Sequence, residues 1–139
     1  MRPCSGIQSM PILRTHRTQS VVAEHAVVAV GLKERLIGLL NRSFLDEGEA
    51  LILPRCNSIH TWFMRCSIDV LFLKAWTIIK AVPRMAPFRM AWVLGADTVV
   101  ELPSGVIERL DIKKGELLDM AGDSMGQPTA KKIDNSTLC

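Results

Sequence analysis

Residues 68–73 read Ile-Asp-Val-Leu-Phe-Leu, and no other stretch constrains the fold so tightly. A strand with one wet face alternates apolar and polar side chains. A run that is apolar at odd and even positions alike is covered on both faces and lies inside its sheet. The run therefore predicts an interior strand with protein packed above and below it. It also carries one acid, Asp69, at its start. An ionised carboxylate left there without partners would cost several kcal/mol, so the fold has to supply donors, an opposite charge or a proton.

The neighbouring runs extend the sheet. "EALILP" (49–54), "IHTWFM" (59–64), "WTIIKAV" (76–82), "TVVEL" (98–102) and "GELLDM" (115–120) read as further strands, rich in β-branched and aromatic residues or stopped by proline. "SGVIERL" (104–110) reads as a turn of helix. "GLKERLIGLLNR" (31–42) places Leu32, Leu36, Leu39 and Leu40 on one helical face. Gly38 inside it points to close backbone approach by a neighbour. The expected fold class is α+β: a β-rich single domain with a strongly curved sheet or small barrel and one or two short helices. The 139 residues suit one core. Residues 1–19 and 121–139 are polar and unpatterned and are expected to be flexible, with 20–120 as the globular domain.

Net charge is +3, from basic residues interleaved with acids. A nucleic-acid groove needs stacking aromatics among its basic residues. Here Tyr is absent and Trp and Phe fall in apolar runs, so no nucleic-acid partner is expected. "VVAEHAVVAV" is interrupted by Glu24 and His25 and comes too late for a signal peptide, while "VLFLKAWTIIKAV" is broken by Lys74 and Lys80. No transmembrane segment is expected, the default location is cytoplasmic, and Cys4, Cys56, Cys66 and Cys139 are expected to be thiols.

Few motifs carry chemistry. "GDSMG" (122–126) fits a nucleophile elbow in letters only, because Pro128 and a polar tail follow where a helix is needed and no His lies downstream of Ser124. Cys56, His60 and Cys66 have the atoms for zinc, but an extended chain carries His60 and Cys66 about 20 Å apart. No metal or cofactor site is read from them. Asp69 is either a carboxylate tied to backbone amides or to Arg65, or an acid–base group in a pocket. On an alternating strand His60, Trp62 and Met64 share one face and Thr61, Phe63 and Arg65 the other. A His beside Trp and Met reads as a core residue.

In order along the chain, the sequence resembles the mainly prokaryotic family known as domain of unknown function 192. "ERLIGLLNR" is similar to its early R-x-x-G-L-M-x-R block through Arg35, Gly38, Leu39, Leu40 and Arg42. "IHTWFMRCSIDVLFL" resembles its signature through Ile59, His60, Thr61, Phe63, Met64, Ile68, Asp69, Val70, Phe72 and Leu73. "VVELPSG" and "IKKGE" resemble its closing elements through Glu101, Leu102, Gly105, Ile112, Gly115 and Glu116. The resemblance implies a curled β-sheet with a short helix packed on it, and no established activity. Members often look exported. This chain departs from the pattern at Cys66, where an apolar residue is usual, and at "KAWT" (74–77), where a D-x-D-G turn is usual.

These readings give a small binding or accessory domain with an unidentified ligand or protein partner. His60, Thr61, Met64, Arg65, Asp69 and Glu101 are its candidate contact residues, expected to converge if their strands are neighbours. The alternative is a small enzyme using a Cys56/His60 thiol pair or Asp69 as acid or base. A third reading, an assembly module, requires an exposed apolar patch around Trp92 or Phe88.

Overall fold

The computed structural model describes residues 11–29, 45–62 and 64–121. Among them the chain forms β1 (Ile12–Thr15), β2 (Val21–Ala23), β3 (His25–Val28), β4 (Glu49–Pro54), β5 (Ser58–His60), β6 (Ile68–Lys74), β7 (Thr77–Met85), β8 (Met90–Trp92), β9 (Thr98–Pro103), α1 (Val106–Arg109) and β10 (Leu118–Ala121). The helix expected over 31–42 and the GDSMG segment lie outside the described residues.

The strands make three sheets, ordered β3-β4-β9-β6-β7, β10-β1-β2 and β5-β8. In the large sheet β3 runs parallel to β4, and the other pairs are antiparallel. β6 sits inside it, between β9 and β7, as its two-sided apolar run requires. One face of this sheet presents Ile52, Leu71, Leu73, Val100 and Leu102. These pack with Leu13, Val22 and Leu118 from the three-stranded sheet and with Val106 and Ile107 of α1. The other face presents Leu53, Val70, Phe72 and Val99, which pack with Cys56, Ile59 and Met85. Each fully buried Leu, Ile or Phe contributes roughly 1.5–3 kcal/mol, so both faces hold the sheet.

The result is a β-rich α+β fold with one short helix among the described residues and with sheets that remain open. Curvature comes from register shifts between β6 and β7 at Ile68/Val70 and at Phe72/Leu73. A bulge bends its strand and increases the local twist. Lys74 pairs with Thr77 across the β6–β7 turn, so the departure at "KAWT" keeps a two-residue loop. Ala75 (φ 47°) and Trp76 (φ 64°) both lie in the left-handed region, as a type I′ turn demands. Asn-Gly normally occupies such a turn, because other side chains are strained there. Here Asp97 compensates: its carboxylate accepts the Ala75 N–H at 2.9 Å, and its own N–H donates to the Leu73 carbonyl at 2.8 Å.

Three elements differ from expectation. β1 lies within the segment 1–19 expected to be flexible, and buries Leu13 and Thr15 between β10 and β2. Its four residues are too few to show a period, and its pairing partner β10 comes from the far end of the domain. The strand expected over 59–64 ends at His60, because the groups of Thr61 bond to residues 86–89 instead of continuing a ladder. Within 83–92, which is not among the runs read as strands, Pro83 to Met85 complete β7 and Met90 to Trp92 form β8. No helix among the described residues is long and apolar enough to cross a membrane.

Candidate functional site

Asp69 is fully buried, at 0% exposure. It faces the first core with Leu71 and lies opposite Leu102. Its Oδ1 accepts the Arg84 N–H at 2.8 Å and its Oδ2 accepts the Ile107 N–H at 2.7 Å. Arg84 holds φ 48° in β7, and Ile107 is the second residue of α1. Amides in the first turn of a helix have no partner within it. Gly105, at the N-cap, offers no side chain, so Asp69 supplies the oxygen from the neighbouring sheet. The partners are therefore main-chain amides, and Arg65 is exposed.

Glu101 is also buried but points the other way. It pairs with Val70, one step along from Asp69, and successive side chains alternate faces. The two strands are neighbours as expected, yet their carboxylates are divided by the sheet.

Thr61 is a second internal tie, likewise at 0% exposure. Its hydroxyl donates to the Ala86 carbonyl at 2.6 Å and accepts the Arg89 N–H at 3.0 Å. Its backbone N–H donates to the Arg89 carbonyl at 2.9 Å, and its carbonyl accepts the Phe88 N–H at 3.0 Å. Met64 is half-buried against the second core and donates its N–H to the same carbonyl. Thr61 thus fixes the turn 86–89, in which Phe88 is held at φ 60°. For a bulky residue that conformation is an outlier, of the kind that persists only where the surroundings over-determine it.

The thiol pair of the alternative reading takes a different form. Cys56 is buried and its Sγ donates to the Ser58 carbonyl at 3.0 Å. His60 is exposed, not core, and its ring lies 6.0 Å from that of Trp62. Alternation places Ile59 and Thr61 inside and His60 and Trp62 outside, so the aromatic face is the wet one. Among the described residues no three His, Cys, Asp or Glu side chains stand close enough to hold a metal ion.

What the structure does bring together is an apolar face. β5 and β8 pair antiparallel with Ser58 opposite Trp92, Ile59 opposite Ala91 and His60 opposite Met90. Ile59, Ala91 and Val93 turn into the second core. The large side chains turn out: Phe88 is 68% exposed, Met90 59%, Trp92 65% and Leu94 87%, with Trp62 at 51% beside them. A one-residue slip of register would exchange the two sets and bury the larger one. The fold keeps the costlier arrangement. Trp92 and Phe88 were legible as a potential patch, whereas Met90 and Leu94 were missed, although the alternation in "MAW" (90–92) was a signal for Met90.

The charge of the chain segment that contains this face is one-sided. After Glu49 and before Asp97 the chain carries six Lys or Arg and a single acid, Asp69, while the remainder carries eleven bases and thirteen acids. All six cations are exposed, and the one acid is buried. Arg84 is engaged by Glu108 at 2.7 Å. Arg65 and Arg89, both exposed, follow Trp62 and Phe88 in the chain.

The sequence profile of the family of domain of unknown function 192, described as "Uncharacterized ACR", matches residues 13–120, from β1 to β10. The chain belongs to this family. A "UPF0127 protein" of Thermococcus sibiricus is 35% identical over 91 residues, which are 62% of this chain and 59% of that relative. The chain thus spans less than two thirds of that relative's length. A crystal structure of a protein of unknown function from Novosphingobium aromaticivorans superposes with a TM-score of 0.67 at 22% identity, covering 86% of this chain and 90% of that one. One from Sinorhizobium meliloti, described as a candidate transcription regulator, gives 0.66 at 19% identity, over 79% and 92%. Both share the fold. In this member of domain of unknown function 192 the signature residues divide by role, with Thr61 and Asp69 turned inward as ties and His60 turned out onto the aromatic face.

Proposed function

We propose that the domain is a docking module whose working surface is the outward face of β5 and β8, and that its partner is anionic. The observation that supports this reading is β8 with the turns on either side of it, which expose Phe88, Met90, Trp92 and Leu94 while Ala91 and Val93 turn inward. Contiguous apolar surface of this kind marks an interaction site more often than an isolated exposed residue does. The surplus of exposed cations on the same stretch sets the sign of the partner. On this reading the candidate residues His60 and Arg65, both exposed, touch that partner. Thr61 and Met64 act by holding the turn beneath it, and Asp69 and Glu101 belong to the sheet.

The test is a titration of the intrinsic Trp fluorescence with three anionic probes: vesicles containing phosphatidylserine, a single-stranded oligonucleotide and a polyglutamate peptide. Binding to at least one, lost in a Met90→Ser/Leu94→Ser variant with unchanged thermal stability, supports the reading. Binding to none at low ionic strength, where charge attraction is strongest, refutes it.

A further inference from the structure

We infer that the anionic partner is the surface of a lipid bilayer, an inference that rests on the docking reading above. The make-up of the exposed row carries it. Phe88 and Leu94 occupy the turns on either side of β8, and Leu94 is the most exposed apolar side chain of the row. Turns project beyond the strands they join, so these two side chains are the first to meet a surface. A platform for stacked bases places planar rings or guanidinium groups where the bases lie. Here Met90 and Leu94 alternate with Phe88 and Trp92, and thioether and aliphatic chains gain most by entering hydrocarbon. Trp92 within the row and the exposed Trp62 add indoles, the side chains enriched at the level of lipid headgroups. Met90 and Trp92 lie on the strand itself and the adjoining turns carry Phe88 and Leu94, so the apolar side chains continue past β8 at both ends.

The cations complete the arrangement. Arg65 and Arg89 are exposed and follow Trp62 and Phe88 in the chain, and peripheral attachment needs both apolar insertion and attraction to anionic headgroups. The first carboxylate along the chain after the row, that of Asp97, is committed to the Ala75 N–H at 2.9 Å and the Thr98 hydroxyl at 3.0 Å. Phe88 gives the strongest reason to treat the row as functional. Asn tolerates φ 60° far better than Phe, so a fold serving only its own stability would place a different residue there.

The experiment uses the full chain with vesicles of pure phosphatidylcholine and vesicles with about 30% phosphatidylserine. Co-sedimentation and a blue shift of Trp emission are expected on the anionic vesicles, and both should weaken as salt rises. Arg65→Gln and Arg89→Gln should each weaken binding about fivefold, the contribution of one basic residue at an anionic surface. Phe88→Asn combined with Leu94→Ser keeps all the Trp reporters and removes the projecting side chains. It should abolish the blue shift with no loss of melting temperature, and since Leu94 is almost wholly exposed, Leu94→Ser alone should fold and weaken binding in the same direction. Binding to the oligonucleotide or the peptide but not to vesicles would overturn this inference and leave the docking reading standing. A dimer by light scattering that Leu94→Ser converts to monomer would overturn this inference and the anionic partner with it, since a second copy carries a net charge of +3. Failure to bind any of the three probes overturns both.

Discussion

Replacing Asp69 with Asn separates a scaffold carboxylate from a working one. The native side chain accepts the Arg84 and Ile107 amides at 2.8 and 2.7 Å, one on each oxygen, with no exposure to solvent. Asn keeps the volume but has only one oxygen, so its NH2 group must face one of the two N–H donors. Hydrogen bonds to a charged acceptor contribute about 1.5–3 kcal/mol each, and a buried donor left unsatisfied costs about 1–3 kcal/mol. Loss of one bond, weakening of the other and one orphaned amide together give a destabilisation of roughly 3–5 kcal/mol. That is a large share of a total that is about 5–15 kcal/mol for ordinary domains. Urea unfolding followed by circular dichroism measures it, with an unchanged m-value showing that the denatured state is not the cause. Amide exchange should accelerate first at Ile107 and Arg84. A variant within about 1 kcal/mol of the native protein would refute the account of Asp69 as a tie between β6, β7 and α1.

Further expectations follow from the same geometry. Thr61→Val removes the hydroxyl between the Ala86 carbonyl and the Arg89 amide and should cost about 2 kcal/mol, with exchange at Arg89 accelerated and Thr61→Ser largely restoring it. Ala75→Asn, at an exposed position with φ 47°, should stabilise by about 0.5–1 kcal/mol because Asn suits a type I′ turn; a lower unfolding midpoint would contradict the turn assignment. Cys56, buried and donating to the Ser58 carbonyl, should react with a thiol reagent only as the protein unfolds. Rapid labelling in the native state would revive the thiol chemistry.

The fold was legible where the pattern is long and one-sided in composition. β4, β6, β7, β9 and β10 correspond to runs visible in the chain, and α1 to the turn of helix in "SGVIERL". β1 to β3 escaped because each has four residues or fewer and its burial depends on strands distant in sequence. Asp69 bonds to backbone amides, one of the two readings its setting allowed. The expected convergence with Glu101 did not follow, because adjacency of strands does not fix parity. Asp69 lies opposite Leu102 and Glu101 opposite Val70, and that single step puts them on different faces. The aromatic face was hidden for a related reason. Alternation puts Met90 and Trp92 on one side of β8, but only the packing of Ile59 and Ala91 decides which side is wet, and the turns that expose Phe88 and Leu94 follow no period.

The pairing of β1 with β10, from Ile12 opposite Ala121 to Thr15 opposite Leu118, sets a schedule for biosynthesis. Among the described strands β1 is synthesised first and its partner β10 after all the others. At about 5–20 residues per second the wait is on the order of 5–20 s. Throughout that interval Leu13 lacks the neighbour strand that completes its cover, and its edge is open to pairing with other nascent chains. Truncation before Leu118 would make that exposure permanent, so such fragments should aggregate even though most of the large sheet has already been translated.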